Sequence, residues 1–261
     1  MISERNSQRR FFAVSALLFA ASVAVTIVSS TSMSTMSEMP MSDGSTMSMP
    51  STAGQTWFIA AASFMGMWVV MMIAMMLPSL VPMLWRYREA VARTSETHPG
   101  RLSALVGVGY FFVWSVFGVA VFLLGIALTA IEAQQPALAR AVPVAAGLVV
   151  LIAGALQFTA WKAHHLACCR ETFEPGRAMP ADAGTAWRHG LRLGLHCSFC
   201  CANLIAILLV IGIMDLGAMV VVAAAITVER LAPAGERVAQ AIGVVLIATG
   251  LFLIARAVGI G

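Results

Sequence analysis

The sequence predicts an all-α protein: a polytopic transmembrane helix bundle of about seven spans, with its N-terminus cytoplasmic. Three observations carry this prediction. Of 261 residues, 60% are hydrophobic and only 11% are charged, less than half the roughly 25% charged content of a soluble domain. The mean hydropathy is +0.88. The apolar residues are gathered into separate runs, most of them near the ~20 residues that cross a bilayer core as a helix, and the basic residues are distributed unevenly about those runs.

The runs are Phe11 to Val28, Trp57 to Leu77, Leu102 to Ile131, Ala137 to Ala160, His196 to Ile213, Leu216 to Val228 and Val238 to Ala255. The sixth is short and extends through Glu229 and Arg230 if those side chains snorkel to the interface. The fifth and sixth form one apolar block interrupted only at Gly212 to Gly217. A single helix through that block would overrun the bilayer, so a hairpin turning at Asp215 is expected.

With the N-terminus inside, the cytoplasmic segments hold Arg5, Arg9 and Arg10; Arg86, Arg88, Arg93 and Arg101; Lys162, Arg170, Arg177, Arg188 and Arg192; and Arg230 and Arg237. Only Arg140 and Arg256 fall on the other side. This bias sets orientation in a membrane. It also explains the formal charge of +4 without nucleic acid, which is not an expected partner.

Three regions follow. Residues 1–28 form an N-terminal transmembrane anchor, or an uncleaved signal, since Val28-Ser29-Ser30 is a weak cleavage site. Residues 29–56 are rich in Met, Ser and Thr and poor in charge, and are expected to be an external disordered segment. Residues 57–261 form a six-helix transmembrane metal-binding domain.

The chemistry concentrates in two Cys/His pieces. The first, directly after the fourth run, contains His164, His165, Cys168 and Cys169; the second, opening the fifth, contains His196, Cys197, Cys200 and Cys201. Helical i, i+3 and i, i+4 spacing gathers the second set on one face, and the first set repeats the i, i+4 relation if the fourth helix continues. Both pieces belong to the same cytoplasmic end of the bundle. Thiolate and imidazole suit soft or borderline ions, Cu(I) foremost and Zn²⁺ second, whereas a carboxylate-poor setting argues against Ca²⁺ and Mg²⁺. Packing of small residues and a Cys197-x-x-Cys200 redox pair are the competing explanations.

Methionine provides the second signal. Met67, Met71 and Met75 form one i, i+4 row and Met65, Met72 and Met76 an adjacent one. Together they cover about half of the second helix. Thioethers suit Cu(I) and not Zn²⁺, although methionine is also an adaptable core filler. The external segment adds Met33, Met36, Met39, Met41, Met47 and Met49.

From about Trp57 to the C-terminus the chain resembles a family of predicted metal-binding integral membrane proteins with no assigned activity. The resemblance rests on Trp68 with Met72 to Pro78, Gln157-x-Thr159-x-x-Lys162 with Cys169-Arg170, Gly194-x-x-Cys197-x-x-Cys200-Cys201, and Gly212 to Leu216 leading to Glu229 to Pro233. It implies metal binding at the Cys and His positions. His164-His165 and Cys168-Cys169 depart from the family's sparser pattern.

The expected function is soft-metal transport or delivery in a bacterial inner membrane. Lipid, a metal ion, and a cytoplasmic or periplasmic metallochaperone or metalloenzyme are the expected partners. Alternatives are a membrane accessory or assembly subunit for a metalloenzyme, a mercury-type thiophilic-metal carrier, and a membrane thiol oxidoreductase. No nucleotide-binding loop or catalytic triad is present, so catalysis is not expected. The seven-span layout predicts that a reporter active only outside the cell works when fused after Gln55 or Gln134. A cytoplasmic reporter should work after Ala92 or Pro175, and activity of the external reporter after Pro175 would overturn the layout.

Overall fold

The computed structural model describes residues 2–37, 53–92, 99–134, 136–170, 182–213 and 215–259. All regular structure among them is helical: α1 (Ile2–Ser37), α2 (Ala53–Ala92), α3 (Pro99–Gln134), α4 (Pro136–Leu156), α5 (Ala160–Arg170), α6 (Ala183–Ile211), α7 (Leu216–Leu231) and α8 (Gly235–Val258). Five of these are long and apolar enough to cross a membrane: α1, α2, α3, α6 and α8. The pair α4 and α5, bent by 68° at a short break, brings the number to six if it counts as one span. At 16 residues, α7 extends about 24 Å, shorter than the ~30 Å hydrocarbon core. The chain is therefore a multi-pass helical membrane protein with its apolar side chains turned outward as well as inward; Phe58, Val220, Val221 and Phe252, for example, are exposed. A soluble surface does not carry so much contiguous apolar area.

The helix α1 continues beyond Val28 to Ser37. Residues 38–52 of the Met/Ser-rich segment lie outside the described residues, as does the 171–181 connection.

Among the five long apolar helices α6 is the most buried, and it contacts α3, α4, α5 and α7. Its start is set by Asp182, whose carboxylate accepts from the Thr185 backbone N–H at 2.8 Å and from its hydroxyl at 2.6 Å. The Thr185 hydroxyl, followed by that N–H, holds the Asp182 carboxyl below its usual pKa range. Its end is Gly212 at φ 128°, a conformation open to glycine and strained for other residues. Asp215 then caps α7, accepting from the Ala218 N–H at 2.8 Å. The expected break at Gly212 to Asp215 is present.

The bend between α4 and α5 was not legible as such. Gln157, Phe158 and Thr159 donate backbone N–H groups to Gly154, Ala155 and Leu156, tighter i→i−3 closures that end the α-helical ladder. The Thr159 hydroxyl then accepts from the Lys162 N–H at 3.3 Å, restarting the chain as α5 in a new direction.

Glycines let the helices approach closely. Gly147 and Gly154 on α4 face Gly243 and Gly250 on α8; a Cβ on Gly154 would lie 2.8 Å from the Ile247 nitrogen, and one on Gly250 2.7 Å from the Leu151 nitrogen. Such small-residue seams hold membrane helices together through close packing. On α6, a Cβ at Gly190 would collide with the Val106 carbonyl oxygen of α3. Gly154→Ala and Gly250→Ala should each cost about 1–3 kcal/mol through overpacking, seen as a lower thermal midpoint in detergent. Gly66→Ala and Gly125→Ala, where a Cβ meets nothing within 4 Å, should be neutral or stabilising by about 0.5–1 kcal/mol. Equal tolerance at all four positions would refute the seam.

Candidate metal centre

Helical phase turns Cys197, Cys200 and Cys201 of α6 into the bundle, where all three are buried and their sulfur atoms lie within 4.8 Å of one another. The sulfurs of Cys200 and Cys201 are 3.4 Å apart, and those of Cys197 and Cys201 3.7 Å. The bent α5 brings Cys169, also buried, to within 3.7 Å of Cys200. None of the five cysteines is in a disulfide. Three thiols of one helix thus form a mutually close cluster, and a fourth from the neighbouring helix meets it at Cys200.

A metal held at ~2.3 Å by sulfur requires S···S separations of roughly 3.8–4.0 Å in tetrahedral or trigonal geometry. The observed separations fall a few tenths of an ångström short, an expansion that small side-chain rotations supply. The donors are all sulfur, with no carboxylate in the triad. That chemistry fits a thiophilic ion.

The surroundings supply positive charge. Arg230 is buried at 2% exposure, and its guanidinium donates to Cys197 Sγ at 3.3 Å, Ser79 Oγ at 2.8 Å, Tyr110 OH at 3.4 Å and Met83 Sδ at 3.0 Å. No carboxylate is among these partners. The Tyr110 hydroxyl is itself 2.9 Å from Cys197 Sγ. An unpaired buried cation is costly, so the nearby sulfurs, once thiolate, are its natural counter-charge. Beside this lies a complete ion pair. Lys162 Nζ is 2.7 Å from Glu229 Oε2 and also donates to the Cys200 carbonyl oxygen. Gln157 Nε2 donates to Glu229 Oε1 at 2.8 Å.

The sequence assigns no site role to Lys162, Glu229 or Arg230, although they belong to the runs that carry the family resemblance, and it does not mark Tyr110, Ser79 or Met83. Lys162 and Arg230 were counted as cytoplasmic loop charges, and Arg230 was expected to snorkel. Instead Lys162, Glu229 and Arg230 all point into the bundle, each at 2% exposure or less. The signal that could have found them is their position at the edge of apolar runs, where an ionisable residue facing inward is by default functional.

The eight Cys/His positions divide into three groups. Cys169, Cys197, Cys200 and Cys201 form the buried thiol cluster. His165 and His196 meet outside it, Nδ1 to Nδ1 at 3.3 Å, and His164 with Cys168 forms a separate i, i+4 pair at 3.6 Å. Of the methionine rows, Met71, Met72, Met75 and Met76 are buried, while Met65 and Met67 are half-buried. Met71 and Met75 line a cavity of about 510 Å³ with Met219 and Pro78, between α1, α2 and α7. The thioether that touches the centre's surroundings is Met83, one turn beyond Pro78.

Residues 65–253 match the family model PpoB2, described as copper chaperone. The chain belongs to this family. No curated protein and no solved structure matches it. Family membership and the buried cysteine cluster together support metal binding or transport by this membrane protein.

The Lys162–Glu229 pair generates a prediction. Lys162→Met alone should destabilise the protein by about 3–5 kcal/mol, because it leaves Glu229 buried without its cation. Adding Glu229→Gln should recover most of that loss. Thermal unfolding of the purified variants measures both, and a neutral single variant would show that the pair is not buried in the membrane.

Proposed function

We propose that this protein is a copper carrier of the bacterial plasma membrane, which holds Cu(I) on its buried cysteines and passes it to a metalloenzyme or a soluble metallochaperone. The observation that carries this reading is the convergence of four buried thiols at sulfur separations of 3.4–3.7 Å. Cu(I) is the ion this reading assigns to them. Three sulfurs are mutually close, and the fourth, Cys169, approaches only through Cys200. A three-plus-one set suits an ion content with two or three soft ligands, whereas structural zinc takes four in a closed tetrahedron. The copper-chaperone description of the family supports the same ion, and supports delivery over catalysis or vectorial flux.

Fourteen of the sixteen basic residues fall on one side of the seven-span layout, which supports an N-terminus and a thiol centre on the cytoplasmic side. On that layout α7 is the seventh span, its short length compensated by the inward-facing charges at its end. Copper would reach the centre past the methionines of α2, with the 29–56 segment as the external collector. The division into residues 1–28, 29–56 and 57–261 and the ligand set belong to this proposal; residues 29–37 and 53–56 are helical, in α1 and α2.

The test is the metal content of the full chain purified in detergent, alone and with Cys197, Cys200 and Cys201 replaced by Ser. Near-stoichiometric copper in the parent, absent from the triple variant, is the expected result. Zinc in its place would retain the centre and remove copper from the reading. No metal in either protein after reduction and reloading would overturn it, and would leave a Cys197–Cys200 redox pair to explain the cysteines. In sealed vesicles a carrier that delivers by contact should show binding without flux.

A further inference from the structure

The histidines excluded from the thiol cluster are not scattered. On α5, Cys169 reaches Cys200, while His165, one turn earlier on the same face, meets His196 of α6. On α6, Cys197 turns inward, while its neighbour His196 turns outward. The two rings meet across the α5–α6 contact, with Nδ1 atoms 3.3 Å apart. They are half-buried, and their flank is aromatic: Trp161 packs edge-on against His165 at 4.8 Å between ring centres, and Phe199 lies 5.1 Å from it. Trp161 and Phe199 are themselves exposed. Beside His165 stands the exposed His164, ring centres 5.3 Å apart, with its Nε2 3.6 Å from the half-buried Cys168 sulfur.

These distances are those of chelates. Two imidazole nitrogens holding one ion at ~2.0–2.1 Å with a near-tetrahedral angle stand about 3.3–3.4 Å apart. An imidazole nitrogen and a thiolate at ~2.0–2.1 and ~2.3 Å stand about 3.6 Å apart. In the metal-free protein the His165–His196 contact is a hydrogen bond in which one ring donates its proton to the other. A metal ion takes the place of that proton, which moves through solvent to Nε2 of the same ring, so that both ligands remain neutral imidazoles.

We infer that His165 and His196 form a second, outer metal site, nitrogen-donating and open to solvent, which relays a soft or borderline metal ion to the buried thiols. This rests on the thiol cluster being the destination, as in the function proposed above. The relay follows from adjacency: each outer ligand position sits next to an inner one, His196 beside Cys197 and Cys168 beside Cys169. Consecutive Cα atoms are only ~3.8 Å apart, so an ion can exchange ligands stepwise without being released. The direction follows from ligand softness. Cu(I) gains by moving from imidazole to thiolate, and no electron changes hands. The outer atoms include no triad mutually within 4.8 Å, which among the described residues is found only for Cys197, Cys200 and Cys201. The outer site is thus a two-ligand chelate, strong enough to capture an ion and too weak to retain it.

The full-length protein in detergent, titrated with Cu(I) buffered by bicinchoninate, tests this. The parent should bind copper in two classes, the tighter with a sulfur-only X-ray absorption signature and the weaker adding nitrogen scattering. His165→Gln with His196→Gln should weaken the second class by about tenfold or more and slow the filling of the first. The stoichiometry of the first should stay unchanged, which also reports that the variant is folded. Replacing Cys197, Cys200 and Cys201 by Ser should do the reverse, abolishing the tight class and leaving the nitrogen-ligated one. A histidine variant that binds both classes at the parent's affinity, or fills the thiols at the parent's rate, would overturn the relay. Loss of the tight class from the parent itself, with nitrogen binding intact, would overturn the thiol reading and the relay, leaving only the outer site.

Discussion

The Lys162–Glu229 ion pair, with its third contact to the Cys200 carbonyl, is the constraint on which the rest of the centre depends. An ionisable side chain inside a membrane bundle survives only where it is paired or solvated within the protein. Here the pair joins α5 to α7, and the carbonyl contact joins both to α6. Gln157, at the break between α4 and α5, completes the carboxylate's hydrogen bonding. The bend at residues 157–159 and the buried salt bridge are therefore mutually dependent. Without the bend, Lys162 would not turn inward; without the ion pair, nothing polar would compensate the carboxylate. The bend also carries Cys169 to Cys200, so a break in one helix decides the membership of the thiol cluster.

Arg230 plays a different part. It has sulfur, hydroxyl and thioether partners and no carboxylate. In a low-dielectric interior such a cation is stabilised by whatever negative charge comes nearest, and that is the thiol cluster. Pro78 and Pro82 lie inside α2, where each removes a backbone hydrogen bond; the stretch they disrupt presents both Ser79 and Met83 to the guanidinium. Fixed positive charge beside sulfur donors stabilises thiolate, the form in which cysteine ligates a metal.

Much of the architecture was legible in the sequence. Apolar run length, charge depletion and the positions of Gly212 and Asp215 marked out the helices and the hairpin, because lipid obliges every backbone group to bond within its own helix. The i, i+3 and i, i+4 spacing of Cys197, Cys200 and Cys201 is a property of α-helical geometry alone, and it survives into the structure. The methionine rows of α2 were likewise visible, although Met83, the thioether beside Arg230, lies beyond them and past two prolines.

Sequence by itself determined that this is a helical membrane protein with a Cys/His-rich end and a soft-metal donor set. Only the tertiary structure decided which donors face one another. Helical periodicity specifies which residues of one helix share a face; it says nothing of which face turns inward, or of how a bend re-aims the next helix. Hence His196 and Cys197, or Cys168 and Cys169, are neighbours in sequence, about 100° apart around the helix, and meet different partners. For the same reason Lys162, Glu229 and Arg230 read as interfacial charges, since a long side chain at the end of an apolar run can reach water or turn into the bundle. The partners waiting inside, Cys200's carbonyl for the lysine and Cys197's sulfur for the arginine, decide which.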